Sequence, residues 1–212
     1  MNLSYRMEEG ERLGALLWEF GPGWRMISSA MLGGGIGARS WVLNAQVTAG
    51  YSRMDPVEHL LSLGPAGEGV GMMTAASVDR CTTGSDGGVE AVATVGLRVP
   101  TWAAAPEGHV DAELAPMRVG TINIMVTVPV AMTDAALVNV VMTATEAKTQ
   151  ALVEAGYPCT GTASDAVCVA VPSSGPEEIF GGPRSPYGAR VARAVHAAVR
   201  QGALSWRPRD GK

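Results

Sequence analysis

The chain has 212 residues, of which 47% are hydrophobic and 17% charged, and its formal net charge is −4. This composition supplies enough apolar side chains for a sizeable core and excludes a disordered chain. The absence of a basic block argues against a nucleic-acid partner, and the apolar runs are far shorter than the ~20 residues that cross a bilayer. Glu8, Glu9 and Glu11 stand where a secretory signal would be apolar. We therefore expect a cytoplasmic protein without a membrane partner.

Short runs of apolar and β-branched residues, bounded by glycine and proline, predict seven strands. They cover 13–20, 24–30, 41–47, 69–77, 89–97, 119–128 and 166–171. Three stretches rich in glycine, proline, serine or acidic residues predict surface loops at 81–88, 101–116 and 172–186.

The spacing of apolar residues predicts one short helix and two long ones. The short helix covers 56–63. The first long helix, about 134–155, follows Thr133 as N-cap and ends at Gly156, and the second, about 186–206, follows Ser185 as N-cap. The buried stripe predicted for the first long helix consists of Leu137, Val138, Val141, Met142, Thr145 and Leu152. Because strands predominate early and helices come late, we expect a single α+β layered domain over 1–212, with mixed or antiparallel sheets packed by the two longer helices.

Neither a disulfide framework nor a metal site is predicted. The three cysteines, Cys81, Cys159 and Cys168, are odd in number and unrelated in spacing, so we expect them to be reduced. None of the three histidines is spaced to another ligand as zinc requires.

A glycine-rich turn after the second predicted strand is one candidate for ligand binding. Gly33, Gly34 and Gly35 follow the sequence Ser28-Ser29-Ala30-Met31-Leu32. Glycine permits both a plain tight turn and a close approach of the backbone to a bulky ligand. The match to a dinucleotide-binding loop is poor because a strand, rather than a helix, is predicted to follow.

Two further glycine turns each place a hydroxyl directly after the glycine. Thr121 follows Gly120 and shares one face of a strand with Asn123. Thr162 follows Gly161, with Ser164 and Asp165 close behind. Such side chains either converge on a ligand or cap the turn and bond the backbone, and the pattern alone leaves both interpretations open.

The first long helix contains Glu146 and Lys148, which project about 200° apart because they are two residues apart. Lys148 falls near the predicted apolar stripe, where a lysine either extends to the edge or meets an anionic group. On spacing alone, Glu146 is typical of a solvated helix face.

Six blocks in this order resemble the adenosylcobinamide amidohydrolase family. They are Ser29-Ala30 before Gly33–Gly35, then 44–51, 71–75, 120–124, 144–148 and 161–166. The resemblance extends from about Trp24 to the final helix and includes 180–183 and Gly188. Ser164 departs from the threonine or similar residue expected there but keeps a hydroxyl. The stretches 81–88 and 101–116 have no counterpart in these blocks.

The resemblance implies hydrolysis of the amide that joins aminopropanol to the corrin ring, giving adenosylcobyric acid in cobamide salvage. It implies a corrinoid as the small-molecule partner and no separate cofactor, since the cobalt belongs to the substrate. An oligomer of identical chains is left open. The alternative is a corrinoid-binding carrier or sensor without turnover, and a third hypothesis is a nucleotide-binding module at the Gly33 loop.

Amide hydrolysis needs a nucleophile or activated water, donors for the oxyanion and a proton for the departing amine. In one arrangement Glu146 is the general base, provided that burial raises its pKa, and Lys148 orients it, donates the proton or holds a propionamide carbonyl. Thr121 and Asn123 would then bind the oxyanion. In the rival arrangement Thr162 or Ser164, together with Asp165, forms a hydroxyl nucleophile. The expected substrate contacts are Ser29, Gly33, Gly34, Gly35, Asn44, Thr74 and Ser164.

Overall fold

The computed structural model describes residues 1–109 and 120–206. Within them the strands are β1 (Asn2–Glu8), β2 (Glu11–Glu19), β3 (Trp24–Ser28), β4 (Gly35–Ala38), β5 (Trp41–Gln46), β6 (Gly69–Thr74), β7 (Thr82–Asp86), β8 (Val89–Val95), β9 (Ile122–Thr127), β10 (Ala131–Met132), β11 (Ala166–Pro172) and β12 (Glu177–Glu178). The helices are α1 (Pro56–Leu63), α2 (Asp134–Glu154) and α3 (Pro186–Ser205), and a 3₁₀ turn covers Val78–Arg80.

All seven predicted strands and all three predicted helices are confirmed, with ends shifted by a few residues. Both predicted N-caps form, because Thr133 accepts from the Ala136 amide and Ser185 from the Gly188 amide. The predicted loop at 81–88 is wrong, since it contains β7. Part of the predicted loop at 101–116 lies outside the described residues.

The strands form two large mixed sheets and one small parallel pair. The six-stranded sheet has the order β4-β3-β11-β9-β8-β7 and the four-stranded sheet the order β1-β2-β5-β6. Each contains one parallel pair, β9–β11 and β5–β6 respectively, and its other pairs are antiparallel. The short strands β10 and β12 pair in parallel.

The two large sheets stack face to face, and helices cover both outer faces. Apolar side chains of α2 and α3 pack on one face of the six-stranded sheet. Its other face packs on the four-stranded sheet through a second apolar cluster that includes Met26, Val42 and Met125. The helix α1 covers the outer face of the four-stranded sheet through Leu60. This layered arrangement confirms the α+β class.

The buried face of α2 differs from the predicted stripe. Val138 and Met142 are 48% and 56% exposed, whereas Leu137 and Leu152 are buried as expected. The other buried positions are mostly small, namely Ala136, Val140, Thr143, Ala144, Ala147, Lys148 and Ala151. Small side chains let a helix approach its neighbours closely, so burial here follows size rather than hydrophobicity. Lys148 lies on this buried face.

No helix in the described ranges is long and apolar enough to cross a membrane. All three cysteines are free, as predicted.

Candidate active site

One end of the stacked sheets collects most of the predicted polar residues. The parallel strands β9 and β11 begin there, and β3 and β8, which are antiparallel to them, end there. The end of β6 joins them, because the Asn123 amide donates to the Met73 carbonyl over 2.8 Å. The turns at 120–121 and 161–165, which immediately precede β9 and β11, are therefore neighbours.

Asp165 is the centre of this cluster. Its Oδ2 accepts from Lys148 Nζ at 2.5 Å and from the Thr162 backbone amide at 3.1 Å. Its Oδ1 accepts from Thr162 Oγ1 at 2.5 Å and from the Ile122 amide at 2.9 Å. Four donors thus occupy the lone-pair positions of one carboxylate. The side chains of Lys148 and Asp165 are only 8% and 10% exposed, so they form a nearly buried ion pair.

The backbone at Gly161 passes close to this ion pair. A Cβ at Gly161 would lie 2.2 Å from Asp165 Oδ2 and 2.5 Å from Lys148 Nζ. Its φ of +152° is also a conformation that side-chain-bearing residues rarely adopt. A side chain at position 161 would therefore displace the Lys148 and Asp165 side-chain ends from their present bond and impose an uncommon backbone conformation.

A pair of hydroxyls lies beside the ion pair. Thr121 Oγ1 and Ser164 Oγ are 2.7 Å apart, and Ser164 Oγ also lies 3.4 Å from the Gly120 carbonyl. Thr121 is buried whereas Ser164 is exposed. Because the Ser164 hydroxyl donates to the Gly120 carbonyl, the hydrogen of the 2.7 Å bond comes from Thr121, and an external acceptor would have to take the Ser164 hydrogen from that long 3.4 Å bond.

A buried polar chain ties the two sheets together beneath this surface. Asn123 donates to Asn44 Oδ1 at 2.8 Å, and Asn44 donates to Thr94 Oγ1 at 3.0 Å. Both amide hydrogens of Asn123 are used, by Asn44 and by the Met73 carbonyl. Asn123 Oδ1 has no hydrogen-bond partner within residues 1–109 and 120–206.

The family model for adenosylcobinamide amidohydrolase matches residues 2–211. The chain belongs to this family. The adenosylcobinamide amidohydrolase of Halobacterium salinarum is 37% identical over 164 residues, which cover 76% of this chain and 64% of that protein. That of Methanosarcina mazei is 37% identical over 94 residues, 40% of this chain and 47% of that protein. This chain thus spans less than two thirds of the length of these relatives.

Among solved structures, the PH0078 protein of Pyrococcus horikoshii OT3 is similar with a TM-score of 0.47 and 15% identity. The similarity covers 95% of this chain and 79% of that one.

In this member of the adenosylcobinamide amidohydrolase family, two of the expected substrate contacts, Asn44 and Thr74, and one expected oxyanion donor, Asn123, lie inside the fold. Asn44, Thr74 and Asn123 are each at most 2% exposed. The Thr74 hydroxyl accepts from the Ala76 amide at 3.0 Å, which caps the turn after β6. Asn123 therefore has no free amide hydrogen for an oxyanion, contrary to the expectation, and Asn44 joins the sheets rather than facing a ligand.

The glycine loop at 33–35 packs largely on the chain itself. A Cβ at Gly33 would lie 2.0 Å from the Gly69 carbonyl, and one at Gly34 would lie 2.5 Å from that of Ala30. Only Gly35 faces open space. Strand β4 begins in this loop, so the helix that a dinucleotide-binding loop needs is absent there. Ser29 is exposed, and its hydroxyl accepts from the Val167 amide at 3.1 Å.

Glu146 does not join the cluster. It lies on the exposed side of α2, in a surface groove with Gln150 and Arg184. The general-base hypothesis requires Glu146 to be buried, and the structure leaves it exposed. The expected orientation of Glu146 by Lys148 is also wrong, because the ammonium of Lys148 bonds Asp165 instead.

A cysteine nucleophile does not fit this site. Cys159 is two residues before Gly161, but burial raises the pKa of its thiol, and a backbone hydrogen bond from Gly161 offsets this only in part. A thiol needs a lowered pKa to act as a nucleophile at neutral pH. Within the described ranges, no group of three or more His, Cys, Asp or Glu side chains could hold a metal.

Sequence reasoning missed two polar features. Thr94 lies in no motif of its own, and its role arises only from the stacking of the sheets.

The second feature is a chain of polar contacts on the outer face of the four-stranded sheet. Tyr51 Oη lies 3.0 Å from His59 Nδ1, and His59 Nε2 lies 3.3 Å from Glu8. Glu8 in turn accepts from Arg6 at 2.7 Å.

Proposed function

We propose that this chain hydrolyses the amide between aminopropanol and the corrin ring of adenosylcobinamide, releasing aminopropanol and adenosylcobyric acid. Membership of the adenosylcobinamide amidohydrolase family supports this substrate. The observation that carries the chemistry is the chain from Lys148 through Asp165 to the Thr162 hydroxyl at the surface of the fold.

Thr162 is the proposed nucleophile. Its hydroxyl hydrogen points to Asp165 Oδ1, which leaves the lone pairs of the oxygen for the amide carbonyl of the substrate. Attack forms a carbon–oxygen bond, and collapse of the tetrahedral intermediate breaks the carbon–nitrogen bond. The Asp165–Lys148 pair passes the hydroxyl proton to the departing nitrogen. Water then hydrolyses the ester, which restores the Thr162 hydroxyl and releases the corrin carboxylic acid.

The hydroxyl pair of Thr121 and Ser164 is the proposed donor to the oxyanion. The two oxygens share one hydrogen bond at 2.7 Å, and on substrate binding the exposed Ser164 would turn its hydrogen from the Gly120 carbonyl, 3.4 Å away, to the substrate oxygen. A positioned donor of this kind stabilises the charge that develops on the carbonyl oxygen. No separate cofactor enters this route, because the cobalt is part of the substrate, and we place the reaction in cytoplasmic cobamide salvage.

The test is chromatographic detection of aminopropanol after incubation with adenosylcobinamide. Wild-type protein should release it, and Thr162→Ala should lose about 10³-fold or more in kcat, as when one member of a nucleophile–base unit is removed. Thr162→Ser keeps a hydroxyl and should retain much of the activity. Glu146→Gln, on the same helix as Lys148 but outside the cluster, should behave like wild type.

Each outcome decides a different part of the proposal. Corrinoid binding by the wild type without release of aminopropanol would favour a carrier or sensor and refute the enzyme. Activity of Thr162→Ala within about tenfold of wild type would refute the covalent route alone. Loss of activity in Glu146→Gln would restore the water route with that carboxylate as base.

A further inference from the structure

Two large apolar side chains are exposed on segments whose backbones are hydrogen-bonded to residues next to the Gly161–Asp165 turn. Trp102 is 53% exposed and Met31 is 58% exposed. Exposed apolar surface next to a polar cluster is a common feature of ligand sites, because a ligand binds mostly through apolar contacts and is oriented by a few polar ones.

Trp102 is fixed to the strand that leads into Thr162. The Thr101 amide donates to the Gly161 carbonyl at 2.8 Å, and the Ala103 amide donates to Thr160 Oγ1 at 2.8 Å. Thr101 also pairs with Gly161 as an antiparallel bridge. Side chains that lie diagonally across such a bridge are about 7–8 Å apart, within reach of an aromatic ring. This pairing places the backbone of Trp102 opposite Thr160 and diagonal to Thr162.

Met31 lies on a loop that is hydrogen-bonded to β11. Ser29, two residues before it, donates its amide to the Val167 carbonyl at 3.0 Å and accepts from the Val167 amide at 3.1 Å. These bonds anchor the loop at the start of β11, directly after Asp165. The segments that carry Trp102 and Met31 are thus hydrogen-bonded to the chain just before and just after the 162–165 turn.

We propose that Trp102 binds the substrate by stacking its indole on a flat conjugated face. This inference rests on the proposed function. The corrinoid offers two such faces, the adenine of the upper ligand and the corrin ring, and an exposed aromatic ring suits either because every π face can stack. Trp102 lies in the stretch 101–116, which matches none of the six family blocks.

The test compares Trp102→Ala and Trp102→Phe with Met54→Ala, which removes an apolar side chain that is 96% exposed on another loop. Trp102→Ala should raise KM for adenosylcobinamide by roughly 5- to 150-fold with little change in kcat, because stacking is retained in both ground and transition states. Trp102→Phe should lose less, and Met54→Ala should match wild type.

Two further arms identify the stacked face. If adenine is the partner, the KM increase disappears with dicyanocobinamide, which lacks adenine, and free adenosine inhibits the wild type. If the corrin ring is the partner, the increase persists with dicyanocobinamide. A KM for Trp102→Ala within twofold of wild type on both substrates refutes the inference.

Binding measured by equilibrium dialysis separates this inference from the proposed function. Should the wild type release no aminopropanol, the proposed function fails, yet a weaker Kd of Trp102→Ala for the corrinoid would still support stacking. An unchanged Kd together with normal turnover by the wild type would refute the Trp102 inference and leave the proposed function standing.

Discussion

Replacing Lys148 with methionine should destabilise the protein strongly. The substitution keeps the length of the side chain and removes its charge, which leaves the Asp165 carboxylate, 10% exposed, without a cation. Removing one partner of a buried ion pair costs about 3–5 kcal/mol, because the remaining charge stays buried and uncompensated. With a urea slope of roughly 2 kcal/mol per M, this corresponds to a fall of about 2 M in the unfolding midpoint.

A double-mutant cycle isolates the pair from other effects. Asp165→Asn should also destabilise, since it leaves the Lys148 ammonium unpaired, and the double variant should be less destabilised than the sum of the two single ones. The control is Arg193→Met, which breaks the ion pair with Asp86 at the surface of α3. Because the Arg193 side chain is 61% exposed, its loss should leave the midpoint nearly unchanged.

The measurement is urea unfolding followed by circular dichroism at constant pH. A midpoint for Lys148→Met within about 0.5 M of wild type, equivalent to roughly 1 kcal/mol, would show that water reaches Asp165 and that the pair is not buried. Additive single effects in the cycle would show that the two side chains do not interact across α2 and the 161–165 turn.

Three further variants test other parts of the structure. Gly161→Ala should abolish hydrolysis and lower the urea midpoint. The control is Gly108→Ala, which also has a positive φ but no atom within 4 Å of the added Cβ, so it should show only backbone strain of about 1–3 kcal/mol. Equal effects of the two variants would contradict the close approach at Gly161. Burial raises the pKa of Cys168 to about 12, so folding favours the neutral thiol. The free energy of unfolding should therefore decline as pH rises above the unfolded thiol's pKa of about 8.5. Cys168→Ala should flatten this decline in urea titrations at pH 8 to 10. Tyr51→Phe removes the hydrogen bond to His59 and should speed backbone hydrogen exchange in residues 47–55. The control is Tyr5→Phe, which removes an exposed hydroxyl that donates to Asp79 and should leave this exchange unchanged. Unchanged exchange in Tyr51→Phe would show that the bond to His59 does not hold the loop.

The sequence predicts an element well where its apolar pattern and its burial agree. The strands β5, β9 and β11 are predominantly apolar and almost wholly buried because both of their faces are covered. Strand β7, with the sequence TTGSD, was predicted as a loop because it is polar and contains glycine. A Cβ at Gly84 would lie 2.1 Å from the Ala194 carbonyl of α3. The glycine there permits close packing of a helix on a strand, a role that composition cannot distinguish from a turn.

The sequence indicated the turns that form the candidate site but not which of their side chains contact one another. The glycine-hydroxyl turns at 120–121 and 161–165 are recognisable in the sequence, and both lie at the site. The partners of their side chains are distant in the chain: Thr121 meets Ser164 across 43 residues, and Asn44 meets Asn123 across 79 residues. Such pairs depend on strand order and on the stacking of two sheets, neither of which follows from local periodicity.

The error in α2 and the error about Glu146 have a common physical origin. Large apolar residues were expected inside, but Val138 and Met142 are exposed and the buried face is lined by Ala144, Ala147 and Ala151. A face of small side chains brings the helix close to the sheet, and a lysine on that face reaches the strand ends. Lys148 is therefore buried against Asp165, and Glu146, about 200° around the helix, faces solvent. The small residues of α2 thus decide that Lys148, and not Glu146, belongs to the site.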